Sequence, residues 1–150
     1  MTSILTFAKN YASKLRNAPK GPVRVLIVDD EEPVRKFVER VLHEAGYETS
    51  VAGDGAEAIQ VASKTAGIDV LVTDVMMPNM LGDELARRLR QNEPDLKVLY
   101  LTGYSDRLFK EKVTLWEAEA FLDKPCSVTG LRQAVSLLLY GRVEAEPQAT

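Results

Sequence analysis

The sequence predicts an α/β protein built on a doubly wound parallel sheet, and three observations lead there. From residue 23 onward, short apolar runs alternate with longer amphipathic ones. Several of the short runs are nearly continuous Val, Ile and Leu, as parallel strands buried on both faces require. Charged or hydroxyl residues close four of them, where an open α/β sheet collects its ligands.

Val23–Val28, Tyr47–Ala52, Ile68–Thr73, Lys97–Leu101 and Ala120–Leu122 read as the strands. Between the first two, Val34, Phe37, Val38, Val41, Leu42 and Ala45 recur at helical spacing and stop at Gly46, a natural C-terminal cap. Asp54 with Glu57 three residues on fits a capping arrangement that opens a helix to about Ala66, before Gly67. Leu85 and Leu89 mark a third helix closed by Pro94. A fourth is expected from Ser105 to Thr114 and a fifth from Val128 to Tyr140. Five strands alternating with five helices imply right-handed crossovers and helices on both faces.

Composition agrees and excludes other classes. At 150 residues, 45% hydrophobic and 27% charged, the chain fits one domain with short extensions rather than a disordered or fibrous protein. No apolar run reaches the ~18–20 residues of a membrane span. One cysteine, Cys126, and one histidine, His43, make neither a disulfide nor a Cys/His zinc site, so the chain reads as soluble and cytoplasmic. Four of the 19 basic residues (Lys9, Lys14, Arg16 and Lys20) fall in the first twenty positions, which hold no acid. Fifteen basic residues then face all 22 acidic ones, and so acidic a body argues against direct nucleic-acid binding.

The strand ends carry the chemistry. Strand one ends in Asp29-Asp30, strand three in Asp74, strand four in Thr102 and strand five in Lys124. With strands one and three adjacent, three carboxylates converge at one edge and repel one another unless a cation joins them. All-oxygen ligands with room for water and phosphate oxygens suit Mg²⁺ or Mn²⁺. A lysine and a hydroxyl aimed at the same place would hold further anionic oxygens. An aspartate flanked by a divalent cation and a lysine is a reasonable nucleophile towards phosphorus. Each residue alone also fits plain turn or helix-capping chemistry. Their joint occurrence at four strand ends sets them apart. Arg87, Arg88 and Arg90 on the third helix read as a solvated face, and Cys126 as packing.

The runs VLIVDDEEPVR, LVTDVMMPNMLG, VLYLTGYSD and AFLDKPCS resemble the signature segments of two-component response-regulator receiver domains of the single-domain, chemotaxis type, over about residues 23–140. The resemblance implies a flavodoxin-like strand order 2-1-3-4-5. It makes Asp74 the phosphoacceptor, with Asp30 and Asp74 binding the metal directly, Asp29 through water, and Met76 by its main-chain carbonyl. Lys124 would pair with the phosphoryl oxygens, Thr102 would hydrogen-bond them, and Phe121 would be the aromatic switch residue, lacking the hydroxyl of the tyrosine that many relatives carry. The Lys124–Pro125 bond would be cis.

By the same resemblance the partners are a sensor histidine kinase or histidine phosphotransfer protein and an unnamed downstream protein. The switching surface combines the helices expected at 105–114 and 128–140 with the strand between them, and that face offers one route to a homodimer. With about ten residues after the last helix, output is expected through protein contacts. The protein would assist its own phosphorylation and dephosphorylation rather than turn over a substrate. The detached receiver of a hybrid histidine kinase is the near alternative. An aspartate-nucleophile phosphatase of the haloacid-dehalogenase type is the remote one, because Met76 stands where that chemistry needs a second aspartate.

This divides the chain into a leader (1–21), a receiver domain (22–142) and a tail (143–150). Residues 4–18 segregate on a helical wheel into an apolar arc with Ile4, Leu5, Phe7, Tyr11 and Leu15 and a polar, basic one, so the leader is expected to be an added amphipathic helix. That helix would pack on its own receiver or pair with a second copy.

Overall fold

Residues 5–7, 21–65, 67–103 and 118–141 are described by a computed structural model. They form β1 (Leu5–Phe7), β2 (Arg24–Val28), α1 (Glu32–Glu44), β3 (Glu48–Ala52), α2 (Gly55–Lys64), β4 (Val70–Asp74), α3 (Gly82–Leu89), β5 (Lys97–Thr102), β6 (Glu119–Asp123) and α4 (Val128–Tyr140). The helix expected at 105–114 and the tail from 143 lie outside the described residues.

The sheet runs β1-β6-β5-β4-β2-β3. Five strands, β2 to β6, are mutually parallel and take the expected flavodoxin-like order. Alternation along each strand builds two cores. Val25, Ile27, Val70, Val72, Leu99, Leu101, Ala120 and Leu122 join residues of α1 and α4 on one face. Leu26, Val28, Leu71, Val98, Tyr100 and Phe121 join residues of α2 and α3 on the other. Burial on both sides explains the unbroken apolar runs, each large side chain contributing roughly 1.5–3 kcal/mol.

Local chemistry sets the helix ends. Asp54 accepts the Glu57 N–H at 2.8 Å while Gly53 N–H donates to Glu57 Oε1 at 3.1 Å, a reciprocal cap that opens α2. Ser127 accepts the Gly130 N–H at 2.9 Å and opens α4, which Gly141 ends with φ at 70°. None of the described helices is long and apolar enough to cross a membrane.

The leader departs from the helix expected of it. Leu5–Phe7 is a strand, antiparallel to β6 with Leu5 opposite Leu122, Thr6 opposite Phe121 and Phe7 opposite Ala120. The rest of 4–18 lies outside the described residues. Leu-Thr-Phe satisfies a period of two as well as it fits an arc on a wheel. The choice falls to hydrogen bonding: a lone helix of this length is marginal in water, whereas β6 offers a row of backbone groups on its outer side.

A second departure is Arg90. Arg87 and Arg88 are exposed and pair loosely with Glu84, as expected of a solvated face. Arg90, just past α3, instead turns inward to the buried carboxylate of Glu119 and donates from Nη2 to the Leu96 carbonyl at 3.0 Å.

Candidate phosphoacceptor site

Four of the five parallel strands, all but β3, deliver a polar or charged residue to the carboxyl edge of the sheet. β2 runs into Asp29, which is fully buried, and then into exposed Asp30. β4, the neighbour of β2, ends in buried Asp74. Lys124, just beyond β6, places Nζ 3.0 Å from Asp29 Oδ2 and 3.2 Å from Asp74 Oδ1. The Lys124–Pro125 bond is cis. The geometry therefore unites Asp29, Asp74 and Lys124, residues up to 95 positions apart in sequence.

Electrostatics at this edge are out of balance. Burial pushes the Asp74 carboxyl up to about 6; Lys124 opposes the rise, while the Asp29 charge and a hydrogen bond that the protonated Asp74 carboxyl donates to Asp30 add to it. Burial alone would lower the Lys124 ammonium, but its hydrogen bond to Asp29 and the charges of Asp29 and Asp74 outweigh that and hold it above its ordinary value. Asp29 Oδ1 accepts the Glu31 N–H at 2.9 Å, while its buried Oδ2, among the described residues, has the ion pair with Lys124 as its polar contact. Asp29, Asp30 and Glu31 bring one carboxylate oxygen each within 4.8 Å of one another. Three carboxylates within 4 Å of one ammonium, with Asp30 beside them, fit a hard divalent cation such as Mg²⁺.

Glu31 was not singled out from sequence, although it is the third acid in the Asp-Asp-Glu-Glu run; its carboxylate also lies 3.9 Å from Lys124 Nζ. Arg35 was missed too: its Nη1 donates to the Asp29 main-chain carbonyl at 2.8 Å and braces the turn that carries the acids. Gly82 is a third. A Cβ there would collide with the Asp74 carbonyl oxygen, so only glycine lets α3 start so close beneath Asp74.

The remaining expected residues lie on the loop after β4 and on β5 and β6. Met76 lies on the loop after β4 and is 53% exposed. Thr102 closes β5 at 1% exposure, and its hydroxyl donates to Asp123 Oδ1 at 3.0 Å rather than to any of the clustered acids. Phe121 is buried, its ring tilted 45° against Tyr100 at 5.6 Å between centroids. Cys126 is half-buried against the α1/α4 core, where burial raises its thiol pKa.

A doubly wound sheet whose carboxyl edge joins buried aspartates to a lysine is the architecture of a signalling domain that takes up phosphate on a carboxylate. The model of the response regulator receiver domain matches residues 25–136, and the chain belongs to that family. It is 36% identical over 120 residues to the sensor kinase CckA of Brucella abortus, covering 79% of this chain but 13% of that protein. It is 36% identical over 118 residues to the transcriptional regulatory protein TrcR of Mycobacterium tuberculosis, covering 79% and 46%. The chain thus spans less than half the length of either relative. Among solved structures, the response regulator TrrA of Thermotoga maritima, in complex with Mg²⁺ and BeF, aligns with a TM-score of 0.67 at 31% identity over 78% of this chain and 99% of that one.

Proposed function

We propose that the chain is a phosphoacceptor receiver in which Asp74 takes a phosphoryl group from the phosphohistidine of a sensor kinase or a histidine phosphotransfer protein. The observation that carries this reading is the position of Lys124 Nζ, within 3.2 Å of both Asp29 and Asp74 at the carboxyl edge of the sheet. An Asp74 carboxylate oxygen attacks phosphorus, the phosphorus–nitrogen bond of the donor imidazole breaks, and the ring nitrogen leaves to be protonated. Lys124, already aimed at Asp74 Oδ1, neutralises the oxygens of the arriving group. Thr102 supplies a hydroxyl once it turns toward them. Asp30, Asp74 and the Met76 carbonyl would hold Mg²⁺ (or Mn²⁺), with Asp29 acting through water. That cation lowers the repulsion between the carboxylates and the incoming phosphoryl oxygens.

The acyl phosphate then shifts the surface around β6 and α4, where Phe121 lies, and a downstream protein reads the change in the cytoplasm. Turnover of a substrate is no part of this function. The likeness to the CckA kinase supports a second reading, a receiver module that relays phosphate from a hybrid kinase. Incubation with Mg²⁺ and acetyl phosphate, followed by intact-mass measurement, tests the chemistry. One phosphoryl adduct supports the receiver. Steady phosphate release over many turnovers would make the protein a phosphatase, and an unmodified mass would remove Asp74 from its role.

A further inference from the structure

We propose that Asp123 is a positioning residue for the switch: it holds the Thr102 hydroxyl away from Asp74 in the unphosphorylated state, and the phosphoryl group must win that hydroxyl from it. The inference rests on the roles given above to Asp74 and Thr102 and adds a competitor for one of them.

Thr102 and Asp123 are direct neighbours on the parallel strands β5 and β6, so their side chains share a face of the sheet. The register is pinned, because Lys124 N–H donates to the Thr102 carbonyl at 2.8 Å. Thr102 is almost wholly buried, which keeps bulk water from replacing Asp123 as its partner. A threonine hydroxyl has one proton to donate. In this structure it goes to Asp123 Oδ1, at 3.0 Å. A phosphoryl oxygen on Asp74 needs the same proton, so the two acceptors exclude each other. At 3.0 Å the bond lies at the long end for a hydroxyl and a carboxylate, which suits a contact that has to open.

The pair also sits next to the switch aromatic. Tyr100 and Phe121 are the preceding cross-strand pair on the same face, two residues back along each strand. Rotation of Thr102 away from Asp123 therefore withdraws a hydrogen bond from the strand residue two positions after Phe121, linking phosphoryl capture to the aromatic's surroundings. Sequence alone gave no sign of it, since Asp123 reads as an ordinary acid before the Lys-Pro turn.

The test titrates the full chain with Mg²⁺ and beryllium fluoride, a phosphoryl mimic, by calorimetry. Asp123→Ala, which removes the acceptor, should bind the mimic about five- to tenfold more tightly, the factor that one net hydrogen bond is worth. Asp123→Asn keeps an acceptor oxygen and should stay within about twofold of wild type. In a Thr102→Val background, Asp123→Ala should change nothing. Asp123→Val is a second acceptor-free variant, suited to a strand end should alanine fold poorly. An equal gain in Asp123→Asn, or the same gain without the Thr102 hydroxyl, would mean that charge alone acts and would overturn the latch. So would unchanged affinity in both acceptor-free variants. A wild-type chain that takes up no mimic would instead overturn the site assignment, and the latch with it.

Discussion

The parallel sheet carries buried acidic groups at both of its ends, and the two ends treat them differently. At the amino end, Glu119 is 1% exposed and is met by the Arg90 guanidinium and by the Tyr100 hydroxyl at 3.2 Å. Arg90 in turn spends further donors on the Leu96 carbonyl. Burial and the Glu119 charge push the Tyr100 phenol far above its ordinary pKa, so it stays a donor at any physiological pH. At the carboxyl end, among the described residues, Asp29, Glu31 and Asp74 share the Lys124 ammonium, with Asp30 beside them. One end is an ion pair completed by the chain itself. The other is left short of positive charge, and that deficit is where a cation and a phosphoryl group belong. Buried charge with its partners in place braces a fold; buried charge that lacks them stores a preference for a ligand.

The contrast breaks most sharply at Asp74. Asp74→Asn should abolish the phosphoryl adduct in intact-mass spectra while its melting temperature without Mg²⁺ is no lower than wild type, because one of several repelling carboxylates is gone. A persistent adduct at wild-type yield would place the acceptor elsewhere. At the other end, Arg90→Leu leaves Glu119 buried without its guanidinium and should cost about 3–5 kcal/mol, a fall in melting temperature on the order of 10 °C. Replacing Glu119 by Leu in the same chain should recover most of that loss in urea unfolding.

Titration gives a smaller effect. Asp74 in the folded protein titrates near 6, against the ordinary carboxylate value of about 3.9 in the unfolded chain. The folded state therefore binds this proton more tightly, and metal-free stability should fall as pH rises from about 4 through about 6. Melting curves in EDTA should show a steeper decline for wild type than for Asp74→Asn; parallel declines would mean that Asp74 is not the strained group. The smallest effect belongs to the leader. Deleting residues 1–20 strips β1 from the outer side of β6 and should lower stability by about 1 kcal/mol without changing the number of copies per sedimenting particle. A halved mass would show that the strand pairs between copies instead.

What was legible in the sequence was whatever the backbone path alone decides. Apolar runs buried on both faces betray β2, β4 and β5, and residues at their ends, such as Asp29 and Asp74, must converge once the strands are parallel neighbours. Side-chain reach was not legible. Arg90 lies 29 residues from Glu119, and only the tertiary structure shows that it turns inward while Arg87 and Arg88 stay in solvent. Thr102 and Asp123 are likewise 21 residues apart, and nothing local says that one holds the other. The leader failed for a different reason: three residues satisfy a helical arc and a strand alternation equally, and the choice between them depends on a partner far along the chain.

The short β1 also changes the status of β6. Without it, the strand that carries the aromatic switch residue would present an open ladder to any extended peptide. With it, that ladder is already in use, and a newcomer has to compete. Tethering typically gives an intramolecular partner an effective concentration on the order of millimolar. A peptide offering the same three backbone pairings from micromolar solution would then have to bind about a thousandfold better to take its place. The shortest described strand of the sheet thus sets a threshold: it leaves the edge open to a strong ligand and closed to a casual one.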